Sequence, residues 1–260
     1  MQLRFVALGS LLKGCPYVIT LGVRPQFSCY SSEDLFALKI TPVVLFPTSK
    51  YVTIFQASGK PTFPSPFSYH FRKWRFAQFA LASYLNVPML KTRCYRRNTS
   101  ADDVLETFSL PLKILDLKND QSKGKLVTTK EKLDEELKLR QRMTIIQEES
   151  KDIIARLVLV FIFYELTGFK TDSSIKTIPS SVIEQSLKIV YEANLDDIAI
   201  EWMLTEKGWL FAGLNFPPMV FLSPEGNTVI NRRTFLCHKF SLFSDVISGK
   251  APDFNYGYRH

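Results

Sequence analysis

The sequence is poor in the residues that build metal centres and disulfide scaffolds. Its 260 residues include only three histidines and four cysteines, Cys15, Cys29, Cys94 and Cys237. No two of these cysteines form a CxxC, and no zinc-ligand spacing appears. Wide spacing in a chain that is 46% hydrophobic fits reduced thiols. GxGxxG, Walker A, GxSxG and HExxH patterns are all absent. Self-similarity at the repeat lengths of solenoids and propellers is absent too. The apolar run "IIARLVLVFIFYEL" falls short of the ~20 residues that span a bilayer, and Arg156 and Glu165 bound it. The sequence therefore predicts no membrane span, no metal, no cofactor and no catalytic centre of a familiar kind.

Acidic residues are missing from the first 32 positions, where Arg4, Lys13 and Arg24 stand alone until Glu33. Leu3, Leu8, Leu11 and Leu12 fit one helical face, and the segment ends rich in serine. A basic amphipathic helix of this kind reads as an organellar transit or flexible segment over residues 1–32. The competing reading is an N-terminal strand pair with "YVITLGV" as one strand. The first reading places the protein in the mitochondrial matrix, the second leaves it cytoplasmic. Of the formal +8, that segment holds three basic residues and no acid, so the remainder carries +5. Such a mild excess suggests an anionic partner without requiring one.

Residues 33–260 read as a single α+β domain, with a polar linker near 118–128. Leu35–Gln56 suggests a β-hairpin, from its β-branched and aromatic residues and its Pro-Thr-Ser turn. Ser65 or Ser68 then caps a helix that carries Arg72 and ends near Asn86, before Pro88. "MLKTRCYRR" reads as a strand, and "VLETFSLPLKILDL" as one or two strands parted at Pro111. A long helix is predicted after Thr128. Its first part, from Lys130 to Asp152, is charged, and its second, "IIARLVLVFIFYEL", is apolar on every side and stops at Gly168. Ser181 and Glu184 open a further helix. "IAIEWML-TEKG-WLFAGLNF" and "MVFLSPEGNTVINRR" read as β-hairpins. The predicted fold is thus a mixed or antiparallel sheet packed on a long, partly buried helix, with C-terminal β-hairpins.

Three constellations carry chemistry. In "HFRKWRFAQ", Arg72, Lys73 and Arg75 alternate with aromatics at a helix start, where cations are locally unfavourable and a phosphate would relieve them. With Lys91, Arg93, Arg96 and Arg97 on the next strand they suggest one RNA-contacting patch, with Trp74 and Tyr95 stacking on bases. The bland alternative is a core helix whose arginine stems cover its apolar face. Cys237 and His238, beside Arg232, Arg233 and Lys239, resemble an activated thiol, but neighbours on a strand point apart. Glu192, Asp196, Asp197 and Glu201 form an acidic group suited to metal binding or acid-base work, or simply to a turn after a helix.

The late hairpin resembles the closing hairpin of ATP-grasp ligases, which ends in a metal-binding Glu-x-Asn. Here the stretch is "GLN": Gly213 stands where the Glu would be, and Asn215 is retained. No Gly-rich phosphate loop or upstream lysine site accompanies it, so the resemblance assigns no family. The sequence reading settles on a non-catalytic, RNA-binding subunit of a mitochondrial ribonucleoprotein assembly. Its helix from Lys130 to Asp152 would contact protein subunits. A protein-only assembly factor or scaffold is the alternative. A third reading is an enzyme with a dispersed site joining Glu201, Asp197 and His238.

Overall fold

A computed structural model gives the fold; the structure describes residues 4–117, 124–140, 143–150, 152–172, 175 and 177–247. The N-terminal unit is a parallel sheet with helical crossovers. Strands β1 (Phe5–Ala7), β2 (Val18–Thr20), β3 (Val44–Leu45) and β4 (Thr62–Phe63) lie in the order β2-β1-β3-β4. Helices α1 (Ser32–Ile40) and α2 (Ser49–Ala57) connect them. The hairpin predicted for Leu35–Gln56 is therefore α1, β3 and α2. Two caps decide it. Ser31 and Asp34 form a reciprocal capping box, and the Thr48 hydroxyl accepts from the Tyr51 amide. Tyr51, Val52 and Phe55 then share a buried helical face. Phe5, Val6 and Ala7 are buried in β1, which has a strand on each side. The segment 1–32 thus supplies two of the four strands.

Ser65 caps α3 (Pro66–Lys73), its hydroxyl accepting from the Ser68 amide. Trp74, in extended conformation, breaks the helix, and α4 (Arg75–Tyr84) follows. A small antiparallel sheet comes next, built from β5 (Thr92–Tyr95), β6 (Leu112–Leu115), β7 (Lys125–Val127) and β8 (Thr144–Glu148) in the order β5-β8-β6-β7. Helices α5 (Ala101–Leu105) and α6 (Lys130–Leu139) cover it: Val104, Leu133 and Leu137 pack on Leu112, Ile114 and Ile146. The predicted helix from Lys130 to Asp152 therefore ends at Leu139, and residues 144–148 are strand. Leu133 and Leu137 face its own sheet. Residues 118–123 of the predicted linker lie outside the described residues, and 125–127 form β7.

The large sheet contains β9 (Ala155–Ile162), β10 (Glu165–Thr171), β11 (Asp197–Thr205), β12 (Gly208–Asn215), β13 (Val220–Leu222) and β14 (Val229–Asn231), in the order β12-β11-β9-β10-β13-β14. Helix α7 (Ser180–Glu192) precedes β11, and α8 (Arg232–Ile247) follows β14. The predicted central helix is β9 with β10. Leu157, Leu159 and Phe161 pack against Phe79 of α4 and Val182, Ile189 and Val190 of α7. Val160 and Ile162 pack on the opposite face against Phe5, Leu45 and Phe240. A strand covered on both faces is as uniformly apolar as a buried helix. Gly168 is a close-approach residue at a β10 irregularity, not a helix stop: a Cβ there would lie 2.1 Å from the Leu222 carbonyl oxygen. Trp202 ties α7 to the sheet, its indole donating to the Ser186 hydroxyl at 2.9 Å. The α+β class stands, but three sheets replace one sheet on a long helix. Among the described residues no helix is long and apolar enough to cross a membrane.

Candidate active site

Register places a polar patch on one face of the large sheet. Val158 of β9 pairs with Glu201 on one side and Lys170 on the other, while Arg156 pairs with Met203. Glu201 pairs in turn with Gly213, and Ala199 with Asn215. Cross-strand partners share a face, so Arg156, Lys170, Glu201 and Asn215 lie together. The far end of this face, around Val160 and Ile162, is buried under the N-terminal sheet and α8. Around Val158 it opens: Arg156 and Lys170 are exposed, Glu201 and Asn215 half-buried. Leu90 and Ile153, at the roots of the small sheet, pack on Met203 and Leu210 beside it. The small sheet therefore stands over the edge of the patch, with Lys207 reaching Glu148 of β8 at 3.7 Å.

Chemically, the patch offers two cations, one carboxylate and one amide. The Asn215 amide donates to the Glu201 carboxylate at 2.6 Å. Neither Arg156 nor Lys170 has an ion-pair partner among the described residues. Such a set suits a phosphate-bearing ligand. Gly213 is crowded by Gln78 of α4, whose side chain bonds the backbone of Leu214 in both directions at 2.9 and 3.0 Å. A Cβ on Gly213 would lie 3.2 Å from that amide oxygen.

The lower end of the same strand holds a buried charge cluster. Asp197 accepts from Arg232 with both oxygens, at 2.8 and 2.6 Å, and Arg72 lies 3.7 Å from it. Arg72, Asp197 and Arg232 are all buried. Asp196 is buried beside them, accepting from the Ser65 amide and the Ser68 hydroxyl. Burial pushes its carboxyl up to about 7, and the Asp197 charge adds to this against the hydrogen bonds.

The predicted basic patch does not form. Arg72 points into the core, already opposite a carboxylate. Its neighbours Lys73, Trp74 and Arg75 lie around the α3–α4 break: Lys73 lies over the Trp74 ring at 5.5 Å, and Arg75 reaches the Asp116 carbonyl. Lys91 and Arg93 turn to Thr107, in the turn after α5, and Arg96 and Arg97 are exposed beyond β5. Tyr95 packs on Phe108 instead of presenting a stacking face. The dispersed-site residues are not joined either, for His238 is exposed on α8 while Asp197 is enclosed by arginines. Cys237 is helical rather than on a strand, and its carbonyl receives the Cys15 thiol. Burial, then contact with Cys237, raises Cys15 to about 11, so it is no activated thiolate. A cleft of about 460 Å³ lined by Phe67, His70, Phe71, Glu192 and Asn194 touches neither polar end of β11.

Three units in this order, a parallel sheet, a small antiparallel sheet and a large antiparallel sheet, match solved structures over almost the whole chain. No protein-family model and no curated protein matches the sequence. The ATP-grasp ligase PsnB, solved with a minimal precursor, superposes with a TM-score of 0.66 at 12% identity, covering 93% of this chain and 99% of that one. A RimK domain ATP-grasp protein from Sphaerobacter thermophilus gives 0.62 at 13% identity, over 95% and 98%. D-Alanine–D-alanine ligase from Bacillus anthracis, solved with ATP, gives 0.63 at 12% identity, over 87% and 91%.

The chain has the ATP-grasp fold. That finding overturns the reading as a non-catalytic RNA-binding subunit, because two of these neighbours, PsnB and D-alanine–D-alanine ligase, are ligases. It also reframes the hairpin from Asp197 to Asn215 as part of an ATP-grasp sheet. Arg156 escapes the sequence reading because its segment reads as helix, and Lys170 because it lies beyond the predicted helix stop at Gly168. The β-branched and aromatic enrichment of Val158, Val160, Phe161, Ile162 and Phe163 is the available signal. A divalent cation belongs with an ATP-grasp centre, but the residues here do not fit one. Gly213 brings no ligand, Glu201 is bonded by Asn215, and no group of three ligating side chains forms among the described residues.

Proposed function

We propose that the protein is an ATP-dependent enzyme of the ATP-grasp type, binding the nucleotide against the open face of the large sheet beneath the small one. Arg156 and Lys170 hold phosphate oxygens, and Glu201 with Asn215 orients the ligand at the neighbouring strands. By likeness to the ligases that share the fold, the reaction joins a carboxylate to an amine at the expense of ATP. The observation that carries this reading is the accessible row of Lys170, Val158 and Glu201 across three strands, flanked by Arg156. Titration calorimetry with ATP and ADP tests it. Binding that weakens when Arg156 and Lys170 become alanine supports it; absence of nucleotide binding by the intact fold refutes it. Gly213 favours a second reading, a nucleotide-binding protein that transfers no phosphoryl group. Release of ADP in the presence of acid and amine substrates separates the two.

A further inference from the structure

The charge cluster at the start of β11 holds more cation than it can neutralise. Two guanidiniums, on Arg72 and Arg232, face the single carboxylate of Asp197. They are 3% and 5% exposed. Arg72 Nη2 and Arg232 Nε are buried and meet no acceptor among the described residues. Arg72 Nε donates to the Ser68 carbonyl, and both Arg232 bonds go to Asp197. Burial pushes Asp196, the other acid nearby, up to about 7, so it is only partly ionised at neutral pH. An uncompensated buried cation is costly, and unpaired donors add to the cost.

The surroundings also favour an anion. Arg232 opens the 16-residue helix α8, whose first turn holds no acid, so the positive helix end points to the same place. The carboxyl ends of the parallel strands β3 and β4 lead here, the usual location for ligands in such sheets. Phe46, just past β3, lies under Arg232 at 5.7 Å and has a φ of +47°, a strained value for a bulky residue. Phe216, the residue after Asn215, stacks 3.7 Å from the Arg72 guanidinium carbon while remaining 61% exposed. It separates Arg72 from solvent. Asp197 and Glu201 share a face of β11 four residues apart, ~13 Å at strand rise.

We propose that Arg72 and Arg232 form a carboxylate-binding site, closed by the Phe216 ring, which anchors the acidic substrate on the same sheet face as the nucleotide. The assignment of that carboxylate to a substrate rests on the ATP-dependent reading above. The anion site itself does not.

Arginine labelling by phenylglyoxal, read by peptide mass spectrometry, tests the site with succinate and inorganic phosphate as probes. In the wild-type protein Arg72 should label slowly, and Phe216→Ala should speed it. In that variant, succinate should slow labelling of both arginines about tenfold at about ten times its dissociation constant. Phosphate should protect less: a guanidinium fork matches both anions, but the more highly charged phosphate group costs more to bring into a buried site. Arg72→Gln should weaken succinate protection of Arg232. Labelling that ignores both Phe216→Ala and succinate would overturn the site, and equal protection by phosphate would overturn the carboxylate class. Protection by succinate in a protein that binds no ATP would sink the enzymatic reading while leaving the anion site standing.

Discussion

Asp197 and Glu201 lie on one strand and one sheet face, yet their environments are opposite. Asp197 is fully buried and met by two arginines, one of which donates to both its oxygens through Nη2. Glu201 is half-buried and met by an amide, with Arg156 and Lys170 nearby and exposed. A buried carboxylate between guanidiniums holds α3, β11 and α8 together. A half-buried one beside exposed cations is free to meet a ligand. The same residue chemistry thus fixes two arginines in place at one end of β11 and stays open to solvent at the other.

Removing the Asp197 charge should break this contrast hardest. Asp197→Asn leaves two buried guanidiniums without a counter-charge, and the expected loss of stability is ~3–5 kcal/mol. Urea unfolding measures it. A loss below ~1 kcal/mol, within the range of an exposed pair, would mean that Asp197 is solvated and the contrast is false.

Next in size is the pH response of Asp196. Its folded pKa of about 7 lies above the ordinary carboxyl value of 3.8. Between those values the folded state binds more protons than the unfolded one. Stability from this group is therefore fully present below about 4 and is lost as pH rises through about 7. The whole shift corresponds to a few kcal/mol, at roughly 1.4 kcal/mol per unit. Asp196→Asn, which keeps an acceptor for the Ser65 amide, should flatten thermal stability between pH 5 and pH 8, marks set about one to two units either side of neutral. An unchanged pH slope in that variant would show that another group titrates.

The two ends also differ in how far they could be read in the sequence. The turn between β11 and β12 was legible because its signal is local: Thr205 pairs with Gly208 across it. The Ser65 cap was legible for the same reason. The Pro-Thr-Ser turn predicted near residue 48 was not a hairpin turn but the cap of α2. Residues 153–166 were not, since burial on both sheet faces erases the alternation that marks a strand. Reading that run as a helix separated Arg156 from Lys170, which lies past its predicted stop at Gly168, and hid the open face. Arg72 was misplaced for a different reason. Its partners Asp197 and Arg232 are 125 and 160 positions away in the chain, and no local pattern announces a buried ion cluster. The Gly213-Leu214-Asn215 stretch carried a true fold signal, while its missing glutamate argued against the family that owns the fold.

A smaller effect should appear at the exposed end. Arg156→Ala and Lys170→Ala should each leave stability within ~0.5 kcal/mol, as surface changes do. Each should weaken ATP binding about tenfold, equivalent to ~1.4 kcal/mol. Loss of stability without loss of affinity would move these residues from recognition to architecture.

Glu201→Gln should change least, and its smallness is informative. Glutamine retains an acceptor oxygen for the Asn215 amide, so stability should shift by less than ~0.5 kcal/mol. If Glu201 helped hold a cation between itself and the nucleotide, its neutralisation would weaken ATP binding in magnesium and spare it in EDTA. Gly213 argues the other way: one half-buried carboxylate already bonded to an amide is too sparse a set to hold a hard cation, which takes several oxygens. ATP affinity should therefore be the same in magnesium and in EDTA for the wild-type protein, and removing the negative charge beside Arg156 and Lys170 should leave it equal or slightly tighter. Calorimetry in both buffers decides. A magnesium-dependent affinity abolished by Glu201→Gln would restore a metal-binding role to this end of β11 and erase the difference between a glycine and a glutamate at position 213.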